Sequence, residues 1–288
     1  MQDGRPRKPG GLTSLGNMLR NELSVTPSSG EQATCGRCGA SFLRLAIGLS
    51  RRRFCDVCLA LKEREEHDAA LVALREDFRR QSGLPFRLWK KTFASWEGES
   101  QALNLVKAWA EGFRCSAARS YKSLYLYGRE NGQGKTHLAA ASCNLIIDQW
   151  EGDVGQRRLS PVRYLSAPAL LARVRASYRA DAAETEEQVW DDLSHVPLLV
   201  VDDVLKETAA AGQDQAEASS HTQRVYFRLV DSRYGEDLPL LLVSNTKLSE
   251  LERVLGRATA SRIAEMTGTS IVQVLGKDRR WKEKDAEH

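Results

Sequence analysis

A chain of 288 residues, 42% of them apolar and 28% charged, is long enough to bury one large core and a small accessory module. Its formal net charge of only +4 excludes a general positive field, so contact with nucleic acid has to come from local basic patches. No apolar run reaches the roughly 18 to 20 residues of a membrane span, and the first residues lead into no hydrophobic signal core. We therefore expect a cytoplasmic protein with no membrane partner.

The N-terminal segment, residues 1–33, is rich in glycine, proline, serine and threonine. This composition predicts a flexible arm. Leucine and methionine recur at helix-like spacing over residues 12–23, which favours a short partner-binding helix. A plain disordered tail is the alternative that the same composition allows.

Four of the six cysteines form two C-x-x-C pairs separated by 16 residues. The pairs are Cys35 with Cys38 and Cys55 with Cys58. This spacing can bring four thiolates onto one tetrahedral ion, so we expect a zinc-binding module at residues 34–60. Metal binding worth about 10 to 16 kcal/mol could fold a segment too small for its own core. A redox dithiol pair is the alternative.

The segment between the two cysteine pairs ends in a basic, aromatic tip, Arg-Arg-Arg-Phe at residues 51–54. Such a tip suits an acidic protein surface or a nucleic-acid backbone, and a solvated basic turn is the alternative. Cys115 and Cys143 fall in predicted helices, and we interpret them as ordinary core thiols.

A charge-dense segment with apolar residues at helical spacing predicts an exposed connecting helix over residues 61–83. From residue 84 to residue 288, short apolar strands alternate with helical stretches, which indicates a parallel α/β sheet flanked by helices. The predicted strands are 123–127, 162–165, 197–201, 240–243 and 271–274. The predicted helices are 101–118, 135–149, 167–179, 220–234 and 247–265.

A glycine-rich loop joins the strand at 123–127 to the helix that follows it. The loop holds three glycines whose missing side chains leave backbone N–H groups open to a phosphate: Gly128, Gly132 and Gly134. Lys135 can reach the terminal phosphates, and the Thr136 hydroxyl can bind Mg²⁺. We expect the loop to hold ATP or GTP. Gly128 stands one residue earlier than the usual pattern requires, which indicates a loop longer by one residue.

Polar residues follow two of the later strands. The apolar run at 197–203 ends in Asp202, which could hold Mg²⁺, and Asp203, which could polarise the attacking water. The strand at 240–243 leads to Asn245, which could orient that water. A simple turn or helix cap is the alternative for Asn245.

Arg257 and Arg262 lie about one and a half turns apart on a helical segment. Either could reach the γ-phosphate of a neighbouring subunit, because arginine is always charged and forks onto phosphate oxygens. Surface salt bridging is the alternative for both.

Taken together, these residues resemble the AAA+ helicase loaders of bacteria and their phages, the DnaC and DnaI group, and the related IstB transposition ATPases. The resemblance covers roughly residues 80–281, and the order and spacing of its motifs are more specific than any single motif. The motifs are QSGLPFRLWKKTF at 81–93, YG at 127–128 through THLA at 136–139, YLSAPALL at 164–171, LVVDD at 199–203, LVSN at 242–245, ASRI at 260–263 and GKDRR at 276–280.

The resemblance implies an AAA+ ATPase domain that binds ATP with Mg²⁺. The implied roles are a Walker A pair at Lys135 and Thr136, nucleotide contact at His137, a Walker B pair at Asp202 and Asp203, sensor 1 at Asn245, the arginine finger at Arg262 and a second sensor at Arg280. The chain departs from the family in its longer loop, in Val-Leu-Lys-Glu at 204–207 and in the alanine-rich run at 208–220. We expect these departures to give slow, partner-regulated turnover while nucleotide binding is kept.

The resemblance also implies partners. They are a hexameric replicative DNA helicase held by the N-terminal module, further copies of the chain across ATP-bridged interfaces, and single-stranded DNA. The expected DNA contacts are basic residues that track phosphates and a ring that stacks on a base: Arg173, Arg175, Tyr178 and Arg179. A solvated helix face with Tyr178 packed inward is the alternative.

Our first hypothesis is therefore an ATP-dependent loader that binds the replicative helicase and helps to deposit it on single-stranded DNA when replication begins. A transposition helper ATPase of the same fold, which would bind duplex DNA and a transposase, is the nearest rival. A rival of another class is a zinc-containing DNA-binding or adaptor protein that uses ATP as a structural switch.

Overall fold

The computed structural model describes residues 31–44, 53–150, 152, 159–205, 218–276 and 278. The chain divides into two compact units, residues 1–69 and residues 70–288. Several sequence predictions lie outside the described residues: the arm up to residue 30, Arg51 and Arg52 of the basic tip, most of the alanine-rich run, and Arg280. Within the described part of the chain, no helix is long and apolar enough to cross a membrane.

The first unit contains a β-hairpin and the beginning of a long helix. Strand β1 (Glu31–Thr34) pairs antiparallel with strand β2 (Ser41–Arg44). Helix α1 (Asp56–Gln81) begins directly after Cys55, which is earlier than the predicted start at residue 61. Asp56 in the first turn favours this start, because a carboxylate stabilises the positive end of a helix. The second cysteine pair therefore spans the N-terminus of α1.

The second unit is built on a sheet of five parallel strands. The strands are β3 (Leu124–Tyr127), β4 (Val162–Ser166), β5 (Leu198–Val204), β6 (Leu240–Ser244) and β7 (Ile271–Gln273). Their order across the sheet is β4-β5-β6-β3-β7, so β6 lies between β3 and β5. The predicted parallel α/β sheet is confirmed.

Seven helices of the described residues flank this sheet or connect its strands. They are α2 (Gln101–Gly112), α3 (Lys135–Asp148), α4 (Ala167–Ala176), α5 (Glu186–His195), α6 (Ser220–Gly235), α7 (Leu251–Leu255) and α8 (Arg257–Thr267). Two sequence predictions were wrong here. Helix α5 was missed, although Thr185 and Gln188 form a capping box at its start. The single helix expected over 247–265 is interrupted at Gly256, whose φ of +86° ends α7.

The sheet separates two layers of buried side chains. Along β5, Leu198 and Val200 face the layer that contains α2 and α3, whereas Leu199 and Val201 face the layer that contains α4 to α8. Both faces of the strand are buried, so it forms a continuous apolar run, which is typical of a parallel sheet covered on both sides. This packing fixes the strand ends that carry the polar residues described next.

Candidate nucleotide site and metal centre

The glycine-rich loop leads from β3 directly into helix α3. Gly134 is the residue before the helix and has a φ of +99°, and Gly132 has a φ of +74°. A Cβ on Gly134 would lie only 2.5 Å from the indole ring of Trp96. No side chain caps the N-terminus of α3, so its backbone N–H groups and helix dipole are directed at the loop. The backbone thus forms an anion-binding cradle.

The chain after β7 runs alongside this loop. Val274 N–H donates to Tyr127 O at 2.7 Å, and the Gln133 side-chain amide donates to Gly276 O at 3.1 Å. A Cβ on Gly132 would lie 1.5 Å from the Asp278 carboxylate. The longer loop is therefore braced by the segment that follows β7. Neither Gln133 nor Asp278 was predicted as part of the site, because these contacts join residues more than 140 positions apart in the chain.

Lys135 lies inside the loop rather than in solvent. Its side chain is buried, and its ammonium group donates to Gly128 O and Glu130 O at 2.8 Å each. These contacts hold the ammonium group within the curve of the loop, where a bound phosphate would meet it. Gly128 thus contributes its carbonyl oxygen to the loop.

The carboxylate of Asp202 lies beside the first turn of α3. Its Oδ1 accepts from the Thr136 hydroxyl at 3.3 Å and from Asp203 N–H at 2.9 Å, while its Oδ2 accepts from the Tyr164 hydroxyl at 2.5 Å. Burial raises the pKa of Asp202, and the hydrogen bond from Tyr164 opposes that change. A hydroxyl and a carboxylate are hard oxygen donors, so this pair fits Mg²⁺.

Two more polar residues complete the strand ends. Asp203 has a left-handed φ of +58°, which turns the chain just after Asp202. Asn245 follows β6, and its side-chain amide donates to Asn131 Oδ1 in the loop at 3.3 Å. Because β6 lies between β3 and β5, Asn245 comes between the phosphate loop and the acidic pair. The sheet order thereby brings these residues to one edge.

These residues share one cavity of about 550 Å³, a size that suits a nucleotide. The lining includes eight of the predicted site residues: Gly132, Gly134, Lys135, Thr136, His137, Asp202, Asp203 and Asn245. The segment upstream of α2 adds Arg87, Leu88 and Lys91, which belong to the motif at 81–93 but were not predicted as site residues. The structure therefore brings these eight predicted residues together, whereas Gly128 does not line the cavity and Arg280 lies outside the described residues.

His137 lines this cavity but also contacts the upstream segment. Its Nε2 lies 2.9 Å from Thr92 O and 3.3 Å from the Ser95 hydroxyl, and its ring meets Trp96 edge-on at 5.4 Å between centroids. These contacts attach residues 92–96 to the first turn of α3. The geometry gives His137 a structural role beside the predicted nucleotide contact.

The predicted arginine finger does not line the cavity of its own chain. The Arg262 guanidinium pairs with Asp231 at 2.9 Å and lies over the rings of Phe227 and Tyr234. It is held on the surface formed by α6 and α8, partly exposed. Arg257, the other predicted candidate, is the first residue of α8 and is exposed.

The arginines predicted to contact DNA differ in whether their guanidinium groups already pair with carboxylates. Both sides of the Arg173 guanidinium are occupied, by Glu184 at 2.7 Å and by Asp192 at 2.7 Å, and these hydrogen bonds raise its pKa. Arg179 pairs with Asp181 at 3.0 Å on the surface. Arg175 is exposed, and its guanidinium makes no hydrogen bond or ion pair with any described residue.

Tyr178 is 53% exposed, and its ring meets His221 edge-on. The alternative in which this ring packs inward is therefore wrong.

The four cysteines of the two C-x-x-C pairs form a cluster in the first unit. Their sulfur atoms all lie within 4.8 Å of one another, and Cys38 Sγ lies 3.7 Å from Cys55 Sγ. A tetrahedral zinc site with Zn–S bonds of about 2.3 Å has S–S edges of about 3.8 Å. Backbone N–H groups of Cys38 and Cys55 lower the pKa of Cys35 to about 6, which favours the thiolate. The donor set therefore fits a zinc module.

Contacts around the cluster hold the two cysteine pairs together. Gly36 N–H donates to Arg53 O at 3.0 Å, and Gly39, with a φ of +73°, donates to Cys35 O at 2.9 Å. Arg37 forms a two-pronged ion pair with Glu65 on α1, with bonds of 3.0 and 2.6 Å. The first pair is thus tied to the helix that carries the second.

The phosphate loop, the acidic pair on β5 and the strand inserted between them define an AAA+ P-loop fold. The solved structure described as the DnaC helicase loader shares this fold, with a TM-score of 0.51 and 18% identity, over 66% of this chain and 100% of that chain. The curated Replicative helicase loader DnaC of Escherichia coli K12 is 25% identical over 167 residues, which is 58% of each chain. The protein of the same name from Buchnera aphidicola subsp. Acyrthosiphon pisum is 22% identical over the same length.

No protein-family model matches the chain. The match spans 58% of the length of these curated relatives. The predicted resemblance to the DnaC-type helicase loaders is confirmed by these comparisons.

Proposed function

We propose that the chain is an ATP-dependent loader that binds a replicative DNA helicase and helps to deposit it on single-stranded DNA. The observation that supports this most strongly is the shared cavity of Lys135, Thr136, Asp202, Asp203 and Asn245 on an AAA+ sheet. The similarity to relatives named Replicative helicase loader DnaC supports the proposed role in loading a helicase.

The residues of the cavity have the chemistry needed to bind and orient a nucleoside triphosphate. Backbone N–H groups at the start of α3 and the Lys135 ammonium would hold the phosphate oxygens, while Thr136 and Asp202 would hold Mg²⁺. Mg²⁺ supplies positive charge that offsets the charge of the phosphates. Asp203 accepts a proton from the attacking water, and Asn245 orients that water.

Replacing Asp203 with asparagine should slow single-turnover ATP hydrolysis about 100-fold, because the amide cannot accept the proton, and should leave ATP binding intact. Asp237→Asn is a matched control, since Asp237 also has a left-handed φ, of +54°, and its carboxylate accepts from Ser120 away from the cavity. If Asp203→Asn hydrolyses ATP at the control's rate, the hydrolysis mechanism fails. The adaptor rival, in which ATP is only a structural switch, would be favoured if ATP-dependent assembly and function persist unchanged in Asp203→Asn.

Self-association is proposed through the surface that carries Arg262. To reach a neighbour's γ-phosphate, the guanidinium has to leave Asp231, a partner on its own chain. This pair is partly exposed, so exchanging it for a phosphate costs little. Arg262 would then complete the neighbour's site only when ATP is bound there.

The cysteine module is proposed as the part that holds the helicase. It belongs to the compact unit of residues 1–69, and its four cysteines fit a zinc ion that stabilises the fold. Helicase binding is therefore expected to depend on zinc rather than on nucleotide.

DNA contact is proposed at the exposed residues Arg175 and Tyr178. Arg175→Ala should weaken single-stranded DNA binding and reduce its salt dependence by about one counterion, because one phosphate contact is lost. Arg173→Ala should instead lower thermal stability without changing that slope, since Arg173 already pairs with Glu184 and Asp192. Fluorescence anisotropy over a salt series measures the DNA affinity and its salt dependence, and thermal melting measures the stability of Arg173→Ala. An unchanged affinity and slope for Arg175→Ala would contradict the proposal.

A further inference from the structure

We propose that Tyr164 is a positioning residue that directs the Asp202 carboxylate toward Mg²⁺, an inference that rests on the proposed nucleotide function. Tyr164 lies on β4, two residues before the strand's end, and is almost fully buried. Its hydroxyl donates to Asp202 Oδ2 at 2.5 Å, a short hydrogen bond of the kind formed with a charged acceptor.

The two oxygens of Asp202 have different surroundings. Oδ1 lies toward Thr136 and Asp203 N–H, which is the side where Mg²⁺ would bind, whereas Oδ2 is turned to Tyr164. Asp202 is only 4% exposed, so water cannot replace a lost donor freely. Rotation of the carboxylate would take Oδ2 away from its donor, and an unsatisfied buried acceptor is costly. Tyr164 thereby holds Oδ1 on the metal side.

Tyr164 is itself held in place from the open edge of the sheet. β4 is an edge strand, and Tyr164 N–H donates to Ser82 O at 2.7 Å on its outer side. Gly83 has a φ of +77°, and a Cβ there would lie 2.8 Å from Tyr164 O. The segment around Ser82 and Gly83 can approach this closely only because residue 83 lacks a side chain. The backbone that carries the Tyr164 ring is therefore fixed by this segment on the outer side of β4 and by parallel pairing with β5 on the inner side.

The proposal concerns the hydroxyl and not the ring. Phenylalanine would fill the same buried space but would leave Oδ2 without its donor. The carboxylate would then be held only by the two donors to Oδ1, so Mg²⁺ binding would have to order Oδ2 without its partner. The expected defect is a higher Mg²⁺ requirement with no loss of the phosphate contacts made by the loop.

The test is a MgCl₂ titration of binding of the fluorescent analogue mant-ATP to the full chain. Tyr164→Phe should raise the Mg²⁺ concentration at half-saturation about tenfold, while binding in EDTA and binding at saturating Mg²⁺ stay near those of the unchanged protein. Tyr121→Phe is the matched control, because it removes a hydroxyl that donates to Trp109 O, outside the cavity. That variant should leave the midpoint unchanged.

A second variant keeps the test informative if Tyr164→Phe folds poorly. In Gly83→Ala the added methyl group would lie too close to the Tyr164 carbonyl oxygen and would displace β4 while keeping the hydroxyl. This variant should also raise the Mg²⁺ concentration at half-saturation. A folded Tyr164→Phe protein with the midpoint of the unchanged chain would overturn the positioning role alone. An unchanged chain that binds no mant-ATP under any condition would overturn the nucleotide function, and this inference with it.

Discussion

Replacing Gly134 with alanine is expected to lower nucleotide affinity about 100-fold, equivalent to about 2.8 kcal/mol. Gly134 has a φ of +99°, which a residue with a Cβ adopts at a cost of about 1 to 2 kcal/mol. The added methyl group would also lie 2.5 Å from the Trp96 ring, which is buried and has little room to move. The loop therefore has to shift, which redirects the N–H groups that hold the phosphates. Titration with mant-ATP measures the loss.

A matched control separates backbone strain from loss of the cradle. Gly98 has a similar φ of +81°, but no atom lies within 4 Å of where its Cβ would be. Gly98→Ala should lose only about 1 kcal/mol of folding free energy and should bind nucleotide like the unchanged chain. Equal nucleotide affinities for the two variants would contradict the placement of the phosphates at this loop.

Replacing Cys58 with serine is expected to abolish tight zinc binding and, with it, helicase binding. Cys58 is buried in the first turn of α1 and supplies one of the four thiolates. Without this thiolate, zinc binding of about 10 to 16 kcal/mol no longer stabilises the hairpin and the start of the helix. Nucleotide binding should persist, because the site lies in the other unit. Elemental analysis gives zinc per chain, and co-purification gives helicase binding.

Cys115→Ser is the matched control for this experiment. Burial raises the pKa of Cys115 to about 11, so its thiol stays protonated at neutral pH, and the residue lies outside the four-cysteine cluster. This variant should retain one zinc ion per chain and bind helicase. Retention of zinc by Cys58→Ser, or helicase binding without zinc, would contradict the proposed role of the module. Deletion of residues 1–60 should have the same effect as Cys58→Ser.

The parts of the fold that were predictable are those in which local sequence and structure coincide. The strand before Gly128 and the helix after Gly134 follow from an apolar run, a glycine-rich turn and a helix-forming segment in sequence. The cysteine cluster was predictable from spacing, because two C-x-x-C pairs separated by 16 residues are typical of a four-cysteine zinc site. The carboxyl ends of parallel strands meet at one edge of a sheet, so the sequence also predicted that Asn245 and the acidic pair lie near the loop.

The features that were missed depend on contacts between distant segments. Nothing near Gly132 in sequence indicates that Asp278 lies against it, and nothing near Asp202 indicates the Tyr164 hydroxyl. Arg173 resembled a free basic residue because its partner Asp192 lies on α5, a helix that sequence analysis did not predict. Side-chain pairing of this kind is decided by tertiary packing and not by local pattern.

The proposed function requires this chain to place a ring-shaped helicase on DNA in response to ATP. The most direct measurement is retention of the replicative helicase on closed circular single-stranded DNA, which has no end for a ring to thread. We predict retention only when both the chain and ATP are present, and its loss with Cys58→Ser or Gly134→Ala. Retention that is the same with and without the chain would contradict the account.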